Sequence, residues 1–91
     1  MIYKLEFAPN ALADIQELKK SNIAAYKKIQ RLLIELQEHP TIGTGKPKPL
    51  RYKHDNEWSR RVTDKHRLVY IVINEKVTVL VISVAGHYGD K

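Results

Sequence analysis

Two prolines bracket the part of this sequence that most restricts its fold. Between Pro9 and Pro40, apolar residues recur at helical spacing: Leu12, Ile15 and Leu18, then Ala25, Ile29, Leu32 and Leu36, the second stripe widened by Tyr26 and Leu33. Pro9 suits a first helical turn, where its missing N–H costs no hydrogen bond. Pro40 stops the second helix, expected over Ile23 to Glu38. Ser21-Asn22 breaks the pattern between them and can cap the second helix. Asp14 and Glu17 are expected near the positive end of the first helix dipole. So short a connection leaves the two helices as an antiparallel hairpin.

Outside the bracket the elements are short and strand-like. Residues 2–8 alternate loosely and predict one strand. Residues 40–56 are expected to be a loop, since Gly43, Gly45, Pro47 and Pro49 oppose a regular element. Three strands come next, over Glu57–Thr63, His66–Ile73 and Val77–Val84, with Asp64-Lys65 and Asn74-Glu75 as tight turns. The order β-α-α-β-β-β implies an α+β fold: a two-helix hairpin packed on one face of a small antiparallel-rich sheet. The other face, or its edge, is left for function. The 91 residues are expected to form one domain, 1–91, with a modest core. Cysteine is absent, which excludes disulfides, thiolate catalysis and cysteine zinc sites and fits a reducing cytoplasm. The charged start, Met1 to Glu6, is expected to belong to neither a signal peptide nor a membrane span. The histidines at 39, 54, 66 and 87 lack metal-ligand spacing, so no cofactor is expected.

The net charge of +6 is unevenly placed. Residues 1–39 carry six Lys/Arg against five Asp/Glu, residues 40–67 eight against three, and residues 68–91 two against two. The excess therefore lies almost wholly in the middle stretch, which would draw a phosphate-rich partner by counterion release.

That stretch also carries the motifs. Gly43-Thr44-Gly45-Lys46-Pro47-Lys48-Pro49-Leu50 is followed by Trp58-Ser59-Arg60-Arg61-Val62-Thr63, then by His66-Arg67-Leu68-Val69-Tyr70, and the chain closes with Gly86-His87-Tyr88. In order and spacing these blocks resemble the YoeB-like toxins of the RelE/ParE superfamily, whose loop reads G-x-G-K-P-E-P-L. The resemblance covers the whole chain as architecture and about half of it as motif. It implies a toxin of a type II toxin–antitoxin system. Such a toxin enters the ribosomal A site and cuts mRNA by attack of a ribose 2′-OH on the adjacent phosphorus. It also implies an antitoxin partner of the YefM/Phd or RelB kind, whose acidic segment folds on the basic toxin, and leaves a homodimer open.

The same resemblance assigns residues. Arg67 matches the catalytic arginine, whose planar fork suits a phosphorane; an ion pair with Glu57 or Asp64 is the structural alternative. His87 matches the terminal histidine, suited to proton transfer, and Tyr88 the tyrosine that stacks on a base or orients the phosphate. Arg61 is implied as a site residue. Hairpin geometry disagrees: a two-residue turn at Asp64-Lys65 pairs Val62 with Arg67, which puts Arg60 on Arg67's face and Arg61 on the opposite one. A bulge or longer turn would reverse this. Lys46, Arg51, Lys53 and Arg60 are expected RNA contacts, and Trp58 a core residue.

Lys48 departs from the pattern, which has a glutamate there as general base. Three explanations are open. Lys48 is itself the base, its charge disfavoured by neighbouring cations. Alternatively His87 is the base, or the chain is an attenuated or inactive binder of ribosome and antitoxin. Asp55 and Glu57 are the nearest carboxylates, but their spacing assigns neither to the site. A gyrase inhibitor of the same fold is disfavoured by the Trp-Ser-Arg-Arg and His-Tyr blocks.

Overall fold

The helical period is realised where the two prolines place it. The computed structural model describes residues 2–50 and 56–86; Arg51, Lys53, Asp55, His87 and Tyr88 lie outside the described residues. Helix α1 spans Pro9–Ser21 and α2 spans Ile23–Glu38. Asn22 caps α2, its side-chain oxygen accepting from the Ala25 amide at 3.1 Å. The α2 stripe is as expected: Ala25, Ile29, Leu32 and Leu36 are all buried.

In α1 the expected stripe holds at Ile15 and Leu18 but not at Leu12, whose place in the core is taken by Ala11. Ala11 and Leu18 are buried with Ile15 packed against them, and Leu12 is half exposed. Asp14 is not in the first turn either. Its carboxylate accepts from the Val84 amide at 2.9 Å, which fastens the helix to a strand instead of answering the helix dipole.

The strands are β1 (Lys4–Phe7), β2 (Lys48–Pro49), β3 (Glu57–Arg61), β4 (His66–Ile73) and β5 (Thr78–Gly86). They form one sheet in the order β1-β5-β4-β3-β2, antiparallel except for the parallel pair β1–β5. β2 falls inside the expected loop. It is a two-residue edge strand, and an edge is where a strand proline is tolerated. The turn expected at Asn74-Glu75 is a single 3-10 turn, Asn74–Lys76, closed by Val77 in the left-handed region at φ 47.

The helices cover one face. Val62, Leu68, Tyr70, Val72, Val79, Val81 and Val84 meet them there, with Trp58, Leu5 and Phe7 at the margins, so the core expectation for Trp58 holds. Strand pairing passes from Val69–Ser83 to Tyr70–Val81, which leaves Ile82 as an extra residue and lets both Val81 and Val84 face the core. Among the described residues no helix is long and apolar enough to cross a membrane.

This packing predicts a contrast between two leucines. Leu36→Ala should cost about 2–5 kcal/mol through lost burial and a cavity, and Leu12→Ala less than about 0.5 kcal/mol. Urea denaturation measures both, and similar costs would contradict the observed exposure of Leu12.

Candidate functional site

One residue in the β3–β4 turn decides which arginine faces the open side of the sheet. Arg61 pairs with Arg67, and the amides of Val62 and Thr63 both donate to the His66 carbonyl, at 2.9 and 3.2 Å. The loop is therefore Thr63-Asp64-Lys65, one residue longer than the tight turn expected. The Thr63 hydroxyl stabilises it by accepting from the amides of Lys65 and His66, each at 3.0 Å. The extra residue shifts the register by one and reverses the faces. Arg61 and Arg67 are directly opposite each other on the helix-free face, and Arg60 points into the core.

Arg60 is accordingly corrected from an RNA contact to a buried hub. It is fully inaccessible. Nε donates to the Tyr70 hydroxyl at 3.1 Å. Nη1 donates to the Glu35 carboxylate at 2.8 Å and the Thr44 carbonyl at 3.2 Å, and Nη2 to the Ile42 carbonyl at 2.8 Å and to the His39 carbonyl. Tyr70 in turn donates to the Pro40 carbonyl at 2.7 Å. No donor of this guanidinium is left for a phosphate. The Thr44 hydroxyl, with lesser help from its amide and from Arg60, holds the Glu35 carboxyl below the usual carboxylate range against a burial that would raise it. Burial pushes the Tyr70 hydroxyl up, against the opposing effect of Arg60.

The hub seats the glycine loop that leads into β2. Gly45 accepts from the Arg61 amide at 2.7 Å, with φ at 86. A Cβ there would stand 2.9 Å from the Arg61 carbonyl oxygen, so only glycine fits both the dihedral and the approach. Lys46 comes next, exposed and at φ 50.

β2 then sets Lys48 opposite Ser59. By strand alternation Lys48, Ser59, Val69 and Ser83 form one row across the helix-free face, and Arg61 and Arg67 lie in the next. Arg67 leans back between the rows, its Nε donating to the Ser59 hydroxyl at 3.2 Å. Ser59 therefore takes the Arg67 guanidinium from one neighbouring strand and is paired with the exposed Lys48 on the other. Arg61 pairs with Asp64 at 2.7 Å, with the two side chains 45% and 92% exposed. Such a solvent-screened bridge is weak and readily exchanged for another anion.

Two residues that sequence reasoning did not place belong to this face. Ser59 is fully buried and orients Arg67. Glu57, two positions earlier on the same strand, is 3% exposed, and its carbonyl accepts from the Leu50 amide at 2.7 Å. The signal for both was the alternation 57, 59, 61, legible only once the register is known. A cavity of about 420 Å³ lined by Tyr3, His39, Ile42, Asn56 and Val72, among others, contains none of these cations. Among the described residues no group of three or more His, Asp or Glu is placed to hold a metal ion.

The comparisons with known proteins identify the family and the fold. Residues 7–88 match the family model described as a YoeB-like toxin of bacterial type II toxin–antitoxin system. Toxin YoeB of Mycobacterium bovis is 38% identical over 76 residues, covering 84% of this chain and 89% of the relative. The mRNA interferase toxin RelE of Escherichia coli K12 is 37% identical over 84 residues, covering 92% and 82%. The YoeB–YefM complex of Staphylococcus aureus contains a chain of the same fold, with TM-score 0.77, 31% identity and coverage of 97% and 100%.

The hub makes two predictions. Arg60→Met, which strands the three loop carbonyls and leaves Glu35 with Thr44 alone, should cost about 3–5 kcal/mol. Glu35 ionises more readily folded than unfolded, so its ionised form adds stability above the usual carboxylate range, and that stability is lost as pH falls through its folded value. Glu35→Gln should therefore be less stable than the parent at neutral pH, with the gap closing on acidification. A gap that stays constant or widens in denaturation at the two pH values would refute this role for Glu35.

Proposed function

Since the chain belongs to the YoeB-like toxins of bacterial type II toxin–antitoxin systems, we propose that it is a cytoplasmic, ribosome-dependent endoribonuclease that cuts mRNA in the A site. The reading is supported above all by one observation: Lys48, Arg61 and Arg67 share the helix-free face, with Arg67 held by Ser59 beside Lys48. A relative named as an mRNA interferase adds to it.

The reaction is attack of a ribose 2′-oxygen on the adjacent phosphorus, with departure of the 5′-oxygen. Charge builds on the equatorial phosphoryl oxygens, where a preoriented guanidinium is most effective. Arg67 takes that role. Its bond to Ser59 fixes one N–H and leaves the outer edge of the fork for two oxygens. Lys48 is an exposed ammonium better suited to gripping a phosphate than to accepting a proton. Arg61, freed from Asp64, binds a neighbouring phosphate. His87 protonates the leaving oxygen and Tyr88 stacks on a base or aligns the scissile phosphate. Lys46, Arg51 and Lys53 hold the RNA backbone, which makes binding salt-dependent. Arg60 has no part in RNA contact. The protein partner is an antitoxin of the YefM kind, by likeness to the staphylococcal complex, and its acidic segment covers the same cations.

Lys48 also favours a second reading, a homologue that occupies the ribosome or binds its antitoxin without cutting. Purified 70S ribosomes programmed with mRNA separate the two when cleavage and A-site occupancy are measured together. The nuclease reading expects cleavage by the parent and a loss of about 100-fold or more for Arg67→Ala at similar occupancy. Occupancy without cleavage by the parent would sink it and leave the binding reading.

A further inference from the structure

Around Lys48, Arg61 and Arg67 the described surface carries one carboxylate, Asp64, and it is paired with Arg61. The three cations can bind and stabilise anions, but they cannot take a proton. Resting on the nuclease reading, we infer that Glu57 is the proton acceptor of the site.

The placement comes from the register. Ser59 is paired with Lys48 on one side and bonded by Arg67 on the other. Glu57 is the same-face neighbour of Ser59 along β3 and the diagonal neighbour of Lys48 across β2–β3. Diagonal positions in an antiparallel pair are about 7–8 Å apart, within reach of long side chains. Arg67 leans toward Ser59 from one end of the strand, and Glu57 adjoins Ser59 from the other. Ser59 thus has Lys48 as its cross-strand partner, Glu57 as its same-face neighbour and the Arg67 guanidinium on its hydroxyl.

Other described carboxylates do not compete. Asp64 is in the turn and pairs with Arg61. Glu6, in the same cross-strand row as Glu57, stands on β1 at the far edge, three strands away. At 3% exposure Glu57 is buried next to Ser59 on the same face of β3, and it is engaged by neighbours in the free chain, the ordinary state of a buried carboxylate.

The step balances without a cofactor. The 2′-O–H bond breaks and its proton passes to a Glu57 carboxylate oxygen as the 2′-oxygen bonds to phosphorus. The P–O5′ bond then breaks with its electron pair on O5′, which takes a proton from the His87 imidazolium. The products are a 2′,3′-cyclic phosphate and a free 5′-hydroxyl.

The test is single-turnover cleavage on programmed 70S ribosomes, with A-site occupancy measured in parallel. Glu57→Gln should slow cleavage by about 100-fold at unchanged occupancy. Adding Lys48→Glu to it returns a carboxylate to the neighbouring position and should recover about tenfold or more. Cleavage by Glu57→Gln within about threefold of the parent, or a loss that Lys48→Glu does not recover, overturns the assignment. If Glu57→Gln fails to fold by circular dichroism, Glu57→Asp carries the test. It keeps the charge and shortens the reach, so it should lower the cleavage rate without weakening occupancy, and an unchanged rate overturns the inference. Failure of the parent itself to cleave sinks the nuclease reading and this inference together, whereas parental cleavage with an indifferent Glu57 sinks only the inference.

Discussion

The chain is organised around the desolvation of a single cation. Arg60 is fully buried, and a guanidinium out of water is tolerable only if its N–H groups find acceptors. Here the acceptors come from α2 (Glu35), β4 (Tyr70) and the main chain of the loop after α2 (His39, Ile42 and Thr44). The loop carbonyls have no ladder to join and converge on the cation instead. One side chain therefore welds the end of the helical layer to the sheet and gives a glycine- and proline-rich segment a definite shape.

The helix-free face inherits its geometry from that weld. β2 is two residues long and lies at the edge, too short to hold its register unaided. The glycine loop docked on Arg61 through Gly45 delivers Lys48 opposite Ser59. From the other side, the hairpin turn delivers Arg67 to the same serine. The adjacent arginines of the Arg60-Arg61 pair thus do opposite work, one building the loop from inside and the other lying on the open face, because successive strand residues alternate between faces.

The long elements were legible in the sequence because their period repeats over many residues. Both helices and the strands β3 to β5 fall close to their expected limits, and in α1 only the first position of the stripe was misread, since Ala11 gives a weaker apolar signal than Leu12. Features that depended on distant partners were less legible. The parallel β1–β5 pair joins opposite ends of the chain, and β2 exists only because the loop before it is anchored. Arg60 read as a surface cation, since its partners at 35, 39, 42, 44 and 70 are scattered and three of them are main-chain groups. The motifs pointed to Arg61 and the assumed turn to Arg60; the longer turn settles the register for Arg61. Ser59 and Glu57 carried no motif of their own.

The length of the loop Thr63-Asp64-Lys65 carries a consequence for how such chains can diverge. Removing one residue would rotate every side chain of β3 by half a turn relative to β4, exposing the hub's guanidinium and driving its neighbour into the hydrocarbon layer. No conservative substitution elsewhere offsets such an inversion. Chains of this architecture are therefore free to vary the identity of those three residues far more than their number, and insertions or deletions should be tolerated at sites that do not set strand parity.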